Sequence, residues 1–322
     1  MTFRWGLVGH GYISGQFLGA IPVVDGAEAT IVLGRNRERA AAYAAEHELT
    51  AVGTVEEFAA SGVDAAYICT PHTAHLDVAV ELLAAGIPVL VEKPMTPNAA
   101  DTRRLVRAAK DTGTFAMEAV WTRFLPIYDV VRSWITDGRI GEVLAVNASF
   151  GFQAAPDPAH RLFDPARAGG SILDIGLYPL TVADMLCGPA LDLRAVGHVG
   201  NTGVDEHVVV AGHYPNGVVA QLSSSLRSNL PNSAEIVGSL GSIELPWFFA
   251  ASSATLTVGD ERETAERPHP GNGFEYEIAH VMEMIATGSR ESSVMSFATS
   301  LRIAEACDDL RRQVGVRYPF ED

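Results

Sequence analysis

The opening third of the chain repeats one pattern, a short apolar run, a turn and a helical stretch, and few folds accept it. Residues Arg4–Val8 read as a strand running directly into Gly9-His10-Gly11-Tyr12-Ile13-Ser14, with helical periodicity from about Ile13. Further strands are predicted over Ala29–Leu33, Ala65–Thr70, Val89–Val91 and Thr114–Glu118. Between them, Thr54 and Glu57 form a capping box ahead of a short helix, Gly86 closes a second helix, and Asn98 opens a third. Val89–Val91 has the unbroken apolar character of a strand covered on both faces. Strands and helices alternating in this way require right-handed βαβ units and a doubly wound parallel sheet.

In such sheets ligands bind beyond the carboxyl ends of the strands. The turn after the first strand is Gly-x-Gly-x-x-Ser, a dinucleotide fingerprint with a small residue in place of the third glycine. Gly9 permits the tight turn, and Gly11, Tyr12 and Ile13 open a helix whose N-terminus suits a pyrophosphate. The second strand ends in Gly34-Arg35-Asn36-Arg37-Glu38-Arg39, without the acidic residue that takes ribose hydroxyls in NAD sites. Guanidinium forks match phosphate oxygens, so Arg35 and Arg39 point to NADP rather than NAD. A solvated first turn of helix is the lesser reading of the cluster, and it applies more to Arg37 than to Arg35 or Arg39. Thr70, Pro71, His72 and His75 follow the next strand. The two histidines have ligand-like spacing but no third ligand nearby, so they are read as lining a cofactor, with no metal. Val89–Val91 delivers Glu92-Lys93-Pro94 to the same edge.

With 322 residues the chain can hold two domains, and the pattern changes after Glu118. The boundaries expected are 1–122 for the Rossmann domain and 123–322 for a second, α/β domain. That second domain shows long strands at about Glu142–Phe152, Leu191–Val199, His207–Tyr214, Val218–Leu226 and Ala234–Val237, with Pro215-Asn216-Gly217 as a hairpin turn. Runs of adjacent strands imply a largely antiparallel sheet. Two helices close the chain, over Phe274–Ala286 and about Phe297–Val314. A net charge of −16 argues against nucleic acid or an anionic membrane as partner. No apolar run is read as reaching the ~20 residues of a membrane helix. The first strand begins too early for a signal peptide, and three scattered cysteines suit a reducing cytoplasm.

Asp174 and Tyr178 lie four apart in Gly169-Gly170-Ser171-Ile172-Leu173-Asp174-Ile175-Gly176-Leu177-Tyr178. On a helix they share one face and could aim at a common point. An acidic residue favouring the helix dipole beside an ordinary half-buried tyrosine fits the spacing as well.

Taken together, Gly9-x-Gly11, Thr70-Pro71, Glu92-Lys93-Pro94 and Asp174-x-Gly176-x-Tyr178 resemble the glucose–fructose oxidoreductase / inositol dehydrogenase superfamily. Met117–Phe124 and Thr202–Asp205 resemble its dihydrodiol dehydrogenase / D-xylose dehydrogenase branch. The resemblance implies an N-terminal Rossmann domain, a C-terminal domain with an open, mainly antiparallel sheet, and a homodimer formed through that sheet. It also implies Lys93 and Tyr178 as the catalytic pair, with Asp174 orienting or balancing the lysine, in hydride transfer to or from a sugar or cyclic diol. His160-Arg161 falls where related reductases carry Trp-Arg, which places Arg161 near cofactor and substrate. Trp121, Phe152, Trp247 and Tyr276 are candidates for an aromatic pocket wall, and each would serve equally as core packing. Two other functions suit this fold: a sensor that kept the cofactor and lost the chemistry, and a glycoside hydrolase working by transient oxidation.

Overall fold

The computed structural model describes residues 2–321, which divide into two compact units. The first comprises the chain up to Trp121 together with His269–Leu301, and the second Thr122–Pro268 with the stretch from Arg302 onward. The chain therefore leaves the first unit after Trp121 and returns to it at His269.

The first unit contains β1 (Phe3–Val8), α1 (Tyr12–Ala20), β2 (Ala27–Leu33), α2 (Arg37–Glu46), β3 (Thr50–Val52), α3 (Val55–Ala59), β4 (Ala65–Ile68), α4 (His75–Ala84), β5 (Val89–Glu92), α5 (Ala99–Thr112) and β6 (Ala116–Ala119). Six parallel strands run in the order β3-β2-β1-β4-β5-β6, the doubly wound arrangement with its switch point between β1 and β4. Every residue of β4, β5 and β6 is buried, as continuous apolar strands under helices on both faces require. The capping box forms only in half: Thr54 Oγ1 accepts from Glu57 N at 3.2 Å, but the Glu57 carboxylate turns to Gly53 N at 2.7 Å. Asn98 caps α5 as expected, accepting from Asp101 N at 2.8 Å.

The second unit opens with α6 (Ile127–Thr136) and β7 (Val143–Gly151), followed by α7 (Leu177–Cys187) and the strands β8 (Asp192–Val199), β9 (Asp205–His213), β10 (Val219–Ser225), β11 (Ser233–Gly238), β12 (Gly241–Pro246), β13 (Ser253–Val258) and β14 (Glu261–Glu266). They form one eight-stranded sheet, β14-β13-β12-β11-β7-β10-β9-β8, antiparallel except for the β7–β10 pair. The predicted hairpin joins β9 to β10, with Asn216 and Gly217 both at positive φ. Strands β12, β13 and β14 were not expected from the sequence.

The remaining helices are α8 (Glu275–Ala286) and α9 (Phe297–Val314). Asn272, ahead of α8, ties it to α1 through a 2.8 Å bond from Nδ2 to Gln16 O. The stretch Pro165–Cys187 corrects the expectation that no apolar run reaches the length of a membrane helix. Its 23 residues include an 18-residue window of mean hydropathy 1.2, which is long and apolar enough by length and composition alone, and 78% of that window is buried inside the protein.

Candidate functional site

In the first unit, the two fingerprint glycines are needed for different reasons. Gly9 has φ +114°, and a Cβ there would stand 2.9 Å from Cys69 O, so the fold itself demands glycine. Gly11 has ordinary extended backbone, and apart from its two chain neighbours nothing lies within 4 Å of where its Cβ would be. It opens α1 with no side chain capping the helix. Backbone donors and the positive end of the dipole are left to an anion there. Ser14, in the third-glycine position, is buried and donates to Gly11 O at 2.6 Å while accepting from Tyr43 OH at 2.9 Å. Tyr12 stands 82% exposed beside this turn, and Ile13 is half-buried.

The three arginines after β2 are not equivalent. Asn36 caps α2 by accepting from Arg39 N at 3.0 Å. Arg37 pairs with Glu57 at 3.6 Å. Arg35 and Arg39 are exposed and have no ion pair among the described residues, so both guanidinium groups are available to a ligand.

His75 is buried, its Nε2 2.8 Å from Thr70 O and its Nδ1 3.1 Å from Pro94 O, so the ring clamps the loop after β4 to the loop after β5. His72 lies edge-on to it, with ring centroids 5.8 Å apart, and Pro71 is exposed. Among the described residues no group of three His, Cys, Asp or Glu is gathered to hold a metal. Buried Glu92 accepts from Tyr67 OH at 2.5 Å and from Lys93 N at 3.1 Å. Met95 N donates to the buried Glu118 at 2.8 Å. The half-buried Lys93 thus leaves a strand end anchored on both sides, and its bond to Pro94 is cis. Two of the expected pocket aromatics sit in this unit: Trp121 packs 4.9 Å from Phe274, and Tyr276 5.7 Å from His269.

In the second unit, Asp174 and Tyr178 do not share one regular α-helix. Ile172–Gly176 is a wider turn in which Leu177 N reaches five residues back to Ile172 O, and only then does α7 begin. Gly176 favours helix poorly and Pro179 lacks an N–H donor, which gives the ladder reason to change register here. Both side chains are buried, and Asp174 is paired at 2.8 Å with Arg161, whose own side chain is half exposed. His160 caps the turn carrying Arg161, its Nδ1 accepting from Leu162 N at 3.3 Å.

Tyr178 stands in an aromatic frame. Its ring lies 5.7 Å from Phe150 and 5.8 Å from Phe249, which stack on each other at 4.0 Å with planes 2° apart. Phe152, 6.5 Å from Phe150, packs on a small cluster that includes Leu162 and Leu226. Trp247, 60% exposed and at φ +49°, meets Phe249 edge-on at 6.0 Å. Phe150 and Phe249 were missed in the sequence. Phe150 could have been found, because it lies two residues before Phe152 and so on the same face of its strand. Phe249, inside Trp247-Phe248-Phe249, carries no spacing that separates it from its buried neighbour Phe248.

A parallel sheet with an open glycine turn and unpaired arginines, and a second unit presenting a tyrosine among aromatic rings, describe a nucleotide-linked enzyme of small molecules. Residues 3–119 match the oxidoreductase family with an NAD-binding Rossmann fold, and residues 128–244 match the GFO/IDH/MocA C-terminal domain. The chain belongs to the GFO/IDH/MocA family of oxidoreductases. It is 35% identical over 333 residues to mouse trans-1,2-dihydrobenzene-1,2-diol dehydrogenase, with 99% of each chain covered. Among solved structures, the 3-ketoreductase KijD10 of Actinomadura kijaniata, in complex with NADP and TDP-benzene, is similar with a TM-score of 0.86 and 25% identity over 98% of each chain. The aldose-aldose oxidoreductase of Caulobacter crescentus shares the fold, with a TM-score of 0.88 and 22% identity over 97% of each chain.

Proposed function

We propose that the protein is an NADP-dependent oxidoreductase that interconverts a secondary alcohol and a carbonyl on a cyclic diol or a sugar. The stacked pair Phe150–Phe249 beside Tyr178 carries this reading, in a chain related end to end to an enzyme named for a dihydrobenzenediol. Stacked rings favour a flat or cyclic substrate over a long flexible one. The open side of Gly11 and the unpaired Arg35 and Arg39 fit a dinucleotide carrying a 2′-phosphate. Gly9, Tyr12, Ile13, Thr70, Pro71, His72, His75 and Glu92 would build the rest of that cradle.

Bound cofactor supplies a hydride acceptor in one direction and a hydride donor in the other. Tyr178 takes the hydroxyl proton when an alcohol is oxidised and returns it to the oxygen when a carbonyl is reduced. A free phenol, with a pKa of ~10, is a poor base at neutral pH. The Lys93 ammonium is the electrostatic partner that favours the phenolate and stabilises charge developing on the substrate oxygen. Asp174, held by Arg161, fixes the turn from which Tyr178 projects. Phe152 and Trp247 extend the aromatic wall, and Trp121 and Tyr276 are assigned to substrate as well. The open face of the eight-stranded sheet forms a homodimer, and the three free cysteines suit a cytoplasmic setting.

The test is turnover of cyclic trans-diols and aldoses with NADP, in the wild type and in Tyr178→Phe. Removing a general acid–base should cut kcat by about 10²- to 10⁴-fold with cofactor affinity unchanged. Equal turnover in the variant would remove Tyr178 from the chemistry. Release of an aglycone without net change in NADPH would favour the hydrolase reading, and cofactor binding without turnover the sensor.

A further inference from the structure

Asp205 begins β9, yet it works on a different element. Its Oδ2 accepts from Ile172 N at 2.7 Å and from Ser171 Oγ at 2.8 Å, at the start of the turn that carries Asp174 and leads to Tyr178. Ser171 Oγ is shared at 2.9 Å with Ser224 Oγ of β10. The carboxyl is fully buried, its Oδ1 has no hydrogen-bond partner, and a Cβ on Gly170 would stand 2.3 Å from that oxygen. A charged group has been placed in the interior, with space cleared for it by a glycine at φ +120°, to hold one helix start. Ser171 supplies no cap of its own to this helix.

We propose that Asp205 is a positioning residue for the reaction assigned above: capping the Ile172 turn from a neighbouring strand, its carboxylate sets where Asp174 and Tyr178 stand. A negative charge at a helix start accepts more strongly than a neutral group and complements the dipole. Both advantages vanish when the carboxyl is protonated. Burial pushes Asp205 up to about 6, opposed by its bonds to Ile172 and Ser171 and by the Arg311 guanidinium of α9. Tyr318 is the other titratable group facing it, and burial keeps that phenol neutral. Asp205 therefore changes charge about one pH unit below neutral, inside the range in which the enzyme can be assayed.

The inference rests on the assignment of Tyr178, so the wild type is assayed first, across pH 5–9, with NADP and the best diol or sugar. Asp205→Asn keeps an acceptor for Ile172 N and removes the charge. It should behave at every pH as the wild type does below about 6, with kcat lower by about tenfold at pH 8 and flat between pH 5 and 7. NADPH affinity, read by fluorescence titration, should be unchanged, because the cradle proposed for the pyrophosphate and 2′-phosphate is built from residues of the first unit. Asp205→Ala should lose more, and Ser171→Ala less. An Asn variant with wild-type kcat and an unmoved pH profile overturns the proposal. So does a loss that scales only with the fraction of folded protein while the profile stays that of the wild type. No turnover in the wild type would instead count against the assigned reaction.

Discussion

At the scale of single residues, the arginine cluster is the part of the structure whose members separate most cleanly. Arg37 is occupied by Glu57, while Arg35 and Arg39 stand exposed without an ion pair. A charge-assisted bond to a phosphate is worth about 1.5–3 kcal/mol. Arg35→Ala or Arg39→Ala should therefore weaken NADPH by about 10- to 100-fold and leave NADH nearly unchanged, whereas Arg37→Ala should alter neither by more than about twofold. Parallel titrations with the two cofactors decide it, and equal losses for both would remove the 2′-phosphate reading. The distinction among the three was partly legible beforehand, since Arg37 already admitted a surface reading. The aromatic frame of Tyr178 was less so. Phe150 and Phe249 stack only because β7 and the turn after β12 are brought together by the sheet, and no local spacing records that pairing. Asp205 was visible only as the end of the Thr202–Asp205 motif, and its capping role was hidden for the same reason, since it lies 33 residues from the amide it caps.

At the scale of elements, legibility followed burial. The strands β4, β5 and β6 are buried throughout and β1 and β2 end in buried apolar residues, and their sequence says so. Edge strand β14, Glu-Arg-Glu-Thr-Ala-Glu, is almost wholly exposed and charged, as edges that resist pairing often are. It therefore reads as a solvated helix or loop. Strands β12 and β13 alternate properly but are short and are separated by an aromatic turn that blurs the period. Helix α8 carries a different surprise. Its Glu277 is fully buried, neither oxygen has a hydrogen-bond partner, and burial, with Glu92 nearby, holds the carboxyl well above its usual range. With the folded value raised, the neutral form's contribution is fully present below the ordinary carboxyl value. It is lost as pH rises towards the folded one, at up to about 1.4 kcal/mol per pH unit. Glu277→Gln should thus melt higher than the wild type at pH 8, with the advantage shrinking towards pH 5. Thermal unfolding at both pH values checks it, and a constant difference would mean that Glu277 is not titrating with folding.

At the scale of the whole molecule, one face of the eight-stranded sheet is where a second copy is expected. Val196 pairs directly with Val209 across β8 and β9, and Val219 on β10 lies on the same face, all three exposed. Val209→Lys, placing a charge at that centre, should halve the mass seen in sedimentation while leaving the melting of each chain little changed. A wild type that already sediments as a monomer would refute the dimer. The division of the chain into two units has a consequence for dissection. Residues 269–301 belong with the first unit, and Asn272 and Glu277 make their contacts there. A gene cut after Trp121 would strip away α8 and leave Gln16 O without its partner. The nucleotide-binding half is thus no detachable cassette: it could be transplanted only with both of its pieces, joined by a new linker in place of everything between Trp121 and His269.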